Sequence, residues 1–318
     1  MPSGLSEALD MARIAVIDIG TQSVLYLLAD FSPPAHESID RDAAGIRLGL
    51  GLAETGKIAA DRTKALVDRL RALRTRAESR RADRIVAFGT HVFRAAQNRD
   101  AVIRTVAEKT GIRIQVLSER EEAEWSFRGI LYGRDASGRI ITADIGGGST
   151  EWIAGTDGTM EAHASIPAGA VTLTERFLRR DPPDPAEWAA MKRKIAGLLV
   201  PATARLGMDG ARLFASGGTA TTLAAMELGM RDYDPVRVDG FVLSGERLAA
   251  WITRCLSMPA ASRRGIPGLE PGRADIIPAG AAVLQSLLER TDLKEVTISD
   301  RGLRHGIALR EMRRMGSA

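Results

Sequence analysis

Ile140-Ile141-Thr142-Ala143-Asp144-Ile145-Gly146-Gly147-Gly148-Ser149-Thr150-Glu151 is an apolar strand that ends in an acid, a run of glycines and hydroxyl side chains. Three successive glycines carry a large ordering cost, so such a loop persists where backbone must approach a ligand closely. Ile14-Ala15-Val16-Ile17-Asp18-Ile19-Gly20-Thr21-Gln22-Ser23 repeats the grammar 126 positions earlier (144 minus 18). Either segment alone is an ordinary strand and turn, with its Asp capping the turn. Together they predict a duplicated phosphate-gripping unit, its two halves facing each other across a cleft, with Asp18 and Asp144 at strand ends where a carboxylate can hold Mg2+ through water.

Outward from these segments the pattern is α/β. The tail 1–12 reads as loose, Ile14–Ile19 as a strand and Val24–Phe31 as its hairpin partner. Residues 32–45 read as a surface connection, and Ile46–Leu52 as a short strand entering a loop. A helix is expected over Ala59–Glu78, with Ala65, Leu66, Leu70 and Leu73 on one face, then a buried strand over Arg84–Gly89. A helix at Val102–Lys109 with Gly111 as its stop and a strand at Ile112–Leu117 follow. Asp184-Pro185-Ala186-Glu187 is a helix start, with Asp as N-cap and Pro at the first position. Strands are expected at Leu213–Ala215 and Glu295–Ile298, and helices at Thr219–Leu228, Gly245–Leu256, Ala279–Glu289 and Arg304–Met315.

At 318 residues the chain is long enough for two domains. A formal net charge of +4 is too mild to argue for DNA or RNA as a partner. Six of the 44 basic residues are Lys, leaving 38 Arg; this is first the mark of a GC-rich genome, and Arg forks also suit oxyanions. Cys255 is the single cysteine, and the four histidines show no metal-ligand spacing, which excludes an intrachain disulfide and a thiolate metal site. No signal peptide is evident. The apolar stretch Ile14–Phe31 contains Asp18 and Gly20, so no membrane partner is expected and a cytoplasmic address is the default.

Three further clusters carry chemistry. Ser216-Gly217-Gly218-Thr219 opens a helix, whose free N–H groups suit an anion, although the same residues make an ordinary strand-to-helix turn. In Ser118-Glu119-Arg120-Glu121-Glu122-Ala123-Glu124, a capping box of Ser118 and Glu121 accounts for Glu119 and Glu121. It leaves Glu122 as a residue that could orient or deprotonate a water. Thr90, Arg94 and Asn98, four apart, would share one helical face at the end of a strand; such a stripe is either solvated or part of a site.

These residues resemble the exopolyphosphatase / guanosine pentaphosphate phosphohydrolase (Ppx/GppA) family from about Ile14 to Leu309. The likeness includes Asp18–Ser23, Arg47-Leu48-Gly49, Thr90 to Asn98, Glu121-Glu122-Ala123, Asp144–Glu151, Pro167-Ala168-Gly169-Ala170-Val171, Gly217-Gly218-Thr219, Arg273–Gly280 and Arg301–Gly306. The resemblance implies two actin-like (ribonuclease H-like) α/β domains around an interdomain cleft, the first at 12–125 plus 305–318 and the second at 126–304. It implies Glu122 as base for the attacking water and Glu151 as a second acidic residue. Thr21, Gln22, Ser23, Arg94, Gly146, Gly147, Gly148, Ser149, Thr150, Gly217, Gly218 and Thr219 would bind phosphate. Asp18, Asp144 and Glu151 would hold Mg2+; whether a monovalent cation helps is left open.

The implied reaction is removal of a terminal phosphate from inorganic polyphosphate or from pppGpp. Arg263, Arg264 and Arg273 would extend the anion track. Gln22 stands where the family usually has Asn. Longer members carry extra C-terminal helical domains, and this chain reads as the short two-domain form, so processivity on long chains is left open, as is a homodimer. The alternatives are a polyphosphate or alarmone sensor without turnover and a small-molecule kinase of the same superfamily.

Overall fold

The computed structural model describes residues 12–32, 35–203 and 210–316; apart from Ala12, the tail expected to be loose lies outside them. The chain divides into two compact units, residues 1–117 with 304–318, and 118–303.

The first unit is built on strands β1 (Ala12–Ile19), β2 (Val24–Ser32), β3 (Ala35–Ala44), β4 (Arg84–Gly89) and β5 (Ile114–Val116), in the order β3-β2-β1-β4-β5. The meander β1-β2-β3 is antiparallel, and β4 and β5 add in parallel. Helices α1 (Leu52–Thr55), α2 (Ala60–Ser79), α3 (His91–Ala95) and α4 (Arg99–Thr110) connect these strands. Leu66, Leu70 and Leu73 of α2 pack into one core with Ala15, Ile17 and Ile19 of β1, as the helical spacing requires.

Two expectations fail here. The polar stretch at 32–45 contains β3, an edge strand whose Asp40 and Asp42 accept hydrogen bonds from Arg76 of α2, both at 2.7 Å. Edge strands tolerate charge, so the composition hid the strand. Residues 46–52 form no strand. Arg47 adopts a left-handed φ of 51°, and the segment turns back toward the β1–β2 connection.

The second unit opens with α5 (Glu119–Leu131), followed by β6 (Arg139–Ile145), β7 (Thr150–Thr156), β8 (Thr159–Ile166), α6 (Ala170–Phe177) and α7 (Pro185–Thr203). Then come β9 (Arg212–Ser216), α8 (Gly217–Glu227), α9 (Pro235–Val238), β10 (Val242–Ser244), α10 (Gly245–Leu256), α11 (Ala260–Arg263), α12 (Ile277–Thr291) and β11 (Glu295–Ile298). The last helix, α13 (Leu303–Gly316), belongs to the first unit from Arg304 onward. The segment 263–275, which carries Arg263, Arg264 and Arg273, begins at the end of α11 and holds a short 3-10 turn at Pro271–Arg273.

The sheet order is β8-β7-β6-β9-β11-β10. Here β6-β7-β8 is an antiparallel meander, β9 and β11 add in parallel, and β10 is an antiparallel edge strand. Apart from β10 this is the first unit's topology again, so the duplication visible in two short segments extends to the whole fold.

The unit boundary falls before α5, whereas the sequence placed it at 125/126. Phe127, Ile130 and Leu131 of α5 pack with Ile140, Ile153 and Phe214 of the second sheet. That apolar face commits the entire helix to the second unit.

Candidate active site

In both units the decisive segment folds as a four-residue hairpin connection. Ile145 pairs with Thr150, and Gly146 N–H donates to the Ser149 carbonyl at 3.0 Å. Ile19 pairs with Val24, and Gly20 N–H donates to Ser23 at 3.0 Å.

What lies behind each turn gives it its chemistry. At the start of α6, Ala170 N–H donates to the Gly146 carbonyl and Val171 N–H to that of Gly147, both at 2.9 Å, while Thr172 Oγ1 donates to Gly148 at 3.3 Å. In a trans peptide the carbonyl and the next N–H point in opposite directions. With these carbonyls turned onto α6, the N–H groups of Gly147, Gly148 and Ser149 are directed away from it, an arrangement of the kind that suits an anion. Gly169 makes the approach feasible, because a Cβ there would lie 2.3 Å from the Gly147 carbonyl carbon.

The first unit repeats the device with different residues. Arg47 N–H donates to the Gln22 carbonyl at 2.8 Å and Gly49 N–H to that of Thr21 at 3.0 Å, which turns the N–H groups of Gln22 and Ser23 outward. A Cβ on Gly49 would meet Thr21 Cγ2 at 2.4 Å. The Arg47-Leu48-Gly49 and Pro167–Val171 motifs, which sequence alone left without a role, are thus the backings of the two loops. The signal that could have found them is a glycine placed after each hairpin, but its target is visible only in three dimensions.

Three acids meet in the second unit. Asp144 and Glu151 are cross-strand partners. Glu122 projects from α5, whose capping box closes as expected: Glu121 N–H donates to Ser118 Oγ, and the Glu121 carboxylate accepts from Ser118 N–H at 2.9 Å. Glu124 forms a surface pair with Arg128 at 3.1 Å, whereas Glu122 is buried. Glu151 is buried too, and its Oε1 accepts from Ser149 Oγ at 2.6 Å and Ser165 Oγ at 3.0 Å. Burial first, then the charges of Glu122 and Asp144, push the Glu151 carboxyl well above the usual range, against the pull of the two serine hydroxyls.

The third glycine turn lies beside Asp144. Gly217 has φ +86°, and a Cβ on it would lie 2.7 Å from Asp144 Oδ1. Ser216, the residue before α8, pairs in register with Asp144 and is buried. Gly302, from the Arg301–Gly306 motif, faces Ser216 Oγ and Asp144 Oδ2. The Arg273 guanidinium lies over Gly218 and pairs with Glu270 at 2.9 Å. Thr219 is buried against Gly280 of α12.

The structure therefore brings together Glu122, Asp144, Glu151, Gly146, Gly147, Gly148, Ser149, Gly217 and Gly218 within one unit. Asp18, Thr21, Gln22, Ser23 and Arg94 belong to the other unit, where Arg94 Nη1 donates to the Leu117 carbonyl at 3.0 Å.

Several expected roles change. The Thr150 hydroxyl is fully buried and donates to the Ala168 carbonyl at 2.8 Å, so it supports the loop from behind. The Ser149 hydroxyl is committed to Glu151, at 2.6 Å, so it is not the group that would meet a phosphate. Thr90, Arg94 and Asn98 do not form one helical stripe, because α3 ends at Ala95 and Asn98 clamps both backbone groups of Ile58, at 3.0 and 2.9 Å. Arg263 is buried, binding the Cys255 carbonyl and the Asp181 carboxylate, and drops out of the anion track. Sequence reasoning missed Ser126, fully buried on α5, whose Oγ donates to Asp144 Oδ2 at 3.1 Å.

Among the described residues no group of three or more His, Cys, Asp or Glu is arranged as a metal cage. Mg2+ does not require one, since it is commonly held by one or two carboxylates together with substrate phosphates. Asp144, partly exposed, offers carboxylate oxygens of the kind that mode uses. No helix among the described residues is long and apolar enough to cross a membrane.

The model of the Ppx/GppA phosphatase family matches residues 29–315. A Mycobacterium tuberculosis protein named exopolyphosphatase 2 is 32% identical, over 94% of this chain and 98% of that protein. Exopolyphosphatase 1 of Mycobacterium leprae is 30% identical, over 94% and 89%. Among solved structures, an exopolyphosphatase-like protein superposes with a TM-score of 0.89 at 28% identity, covering 96% of this chain and 98% of that one. The Aquifex aeolicus Ppx/GppA family member gives 0.80 at 27%, covering 96% and 99%. The doubled topology, the backed glycine loops and these likenesses agree: the chain belongs to the Ppx/GppA phosphatase family.

Proposed function

We propose that this phosphoanhydride hydrolase releases the terminal phosphate of inorganic polyphosphate by in-line attack of water. The observation that carries the reading is the set of buried acids, Glu122 and Glu151, beside the outward N–H groups of Gly147, Gly148 and Ser149. Phosphoryl transfer asks mainly for positioning and charge neutralisation. The loop N–H groups take the terminal phosphoryl oxygens. The N-terminus of α8 and Arg273 take the next phosphate. Burial and the neighbouring acids hold the Glu151 carboxyl well above the usual range, and Glu122 is the acid placed to orient the water and take its proton. Mg2+ would be held by Asp144, with Glu151 as the neighbouring acid, and would neutralise charge on the phosphoryl oxygens.

Relatives named exopolyphosphatases support polyphosphate as substrate; pppGpp offers the same terminal phosphoanhydride. The test is phosphate release from both substrates by wild type and Glu122→Gln, with and without Mg2+. Loss of the base should lower the rate roughly 100-fold or more. A variant within about threefold of wild type would sink the base assignment. Tight polyphosphate binding by a wild type that releases no phosphate would instead favour a sensor, and ATP-dependent phosphorylation of an alcohol a kinase.

A further inference from the structure

Glu122 and Ser126 are four residues apart on α5, so they lie on the same helical face. Both are buried, Ser126 completely. A serine inside a helix usually returns its hydroxyl to the carbonyl four residues back. Here Ser126 Oγ reaches across the unit and donates to Asp144 Oδ2 at 3.1 Å. The same carboxylate is approached closely by glycines, Gly217 at Oδ1 and Gly302 at Oδ2. The hydroxyl–carboxylate bond thus joins the helix that carries Glu122 to the strand end that carries Asp144.

We propose that Ser126 is a positioning residue, which sets the distance and orientation between Glu122 and the Asp144 carboxylate and thereby aligns water with phosphate. This rests on the hydrolase reading above. A charge-assisted bond is stronger than a neutral one and fixes the side-chain torsion at both ends. Small displacements of reacting groups lower rates steeply, so the bond acts on turnover more than on substrate binding.

The experiment compares wild type, Ser126→Ala and Ser126→Thr on polyphosphate, at a temperature where circular dichroism shows each to be folded. Ser126→Ala should lower kcat about tenfold and leave KM within about twofold, because the phosphate-binding N–H groups are untouched. Ser126→Thr, which keeps the hydroxyl, should recover most of the loss. If its extra methyl group prevents folding, Ser126→Cys replaces it, and as a weaker donor should fall between alanine and wild type. An alanine variant with kcat within about twofold of wild type, or with KM raised as much as kcat is lowered, overturns the proposal.

A second measurement is independent of activity. Ser126→Ala and Asp144→Ala, alone and combined, are unfolded in urea. A non-additive shift of the midpoint is expected for two groups that share a bond. Additive shifts overturn the positioning role. A wild type that releases no phosphate, with the coupling intact, overturns the functional reading and leaves the bond standing.

Discussion

Glu151 is the residue whose chemistry depends most on its surroundings. The position equivalent to it in the first unit, opposite Asp18, is Leu25. An apolar side chain therefore satisfies the fold, and the acid is a departure made in one unit. Its elevated pKa means that the folded protein keeps a proton there which the unfolded chain gives up. The associated stability is complete below the ordinary glutamate pKa and is lost as pH rises toward the folded value. Glu151→Gln keeps an acceptor for Ser149 and Ser165 and cannot ionise. Its melting temperature should exceed that of wild type at pH 8 by a few degrees, and the two should converge near pH 4. A difference that does not change with pH, followed by calorimetry, would mean that Glu151 is not protonated by its environment.

At the level of elements, each glycine loop is a hairpin held from behind. The helix start at Ala170–Thr172 supports one and the Arg47–Gly49 turn supports the other. Gly169 has φ −87° and ψ 155°, a backbone conformation any residue can adopt, so the demand for glycine there is purely steric. Gly169→Ala would force backbone apart. We expect a loss of about 1–3 kcal/mol in stability. The KM for polyphosphate should rise about tenfold as the N–H groups lose alignment. An unchanged KM with the stability loss present would remove the loop from substrate binding.

At the scale of the molecule, the C-terminal helix returns to complete the first unit. Glu311 of α13, almost fully buried, pairs with Arg84 of β4 at 2.9 Å and with Arg310 at 2.8 Å. Arg310 is also buried and reaches Gln115 at 3.2 Å. Removing one partner of a buried pair leaves an uncompensated charge, so Glu311→Ala should lower urea stability by about 3–5 kcal/mol. Glu311→Gln should fall between, since it keeps the shape and loses the charge. A loss in the alanine variant below about 1 kcal/mol would show that the pair is solvent-screened.

Local chemistry determined what the sequence by itself could tell. Strand-end acids followed by glycines, the Ser118–Glu121 box, the Asp184-Pro185 start and the Gly111 stop depend on residues a few positions apart, and each is found in the structure. The duplicated α/β design and the family were legible for the same reason, because the repeated segment is short and contiguous. The polar edge strand β3, the allegiance of α5 and the division of the arginines into a buried clamp at Arg263 and a guanidinium over Gly218 were not. Those depend on partners far along the chain. Only the tertiary structure decided that Ser149 and Thr150 turn their hydroxyls inward, that Gly49 and Gly169 hold the loops from behind, and that Ser126 meets Asp144. The physical reason is that burial and hydrogen-bond partnership are properties of three-dimensional neighbours, and sequence spacing reports only those within one turn of a helix or one hairpin.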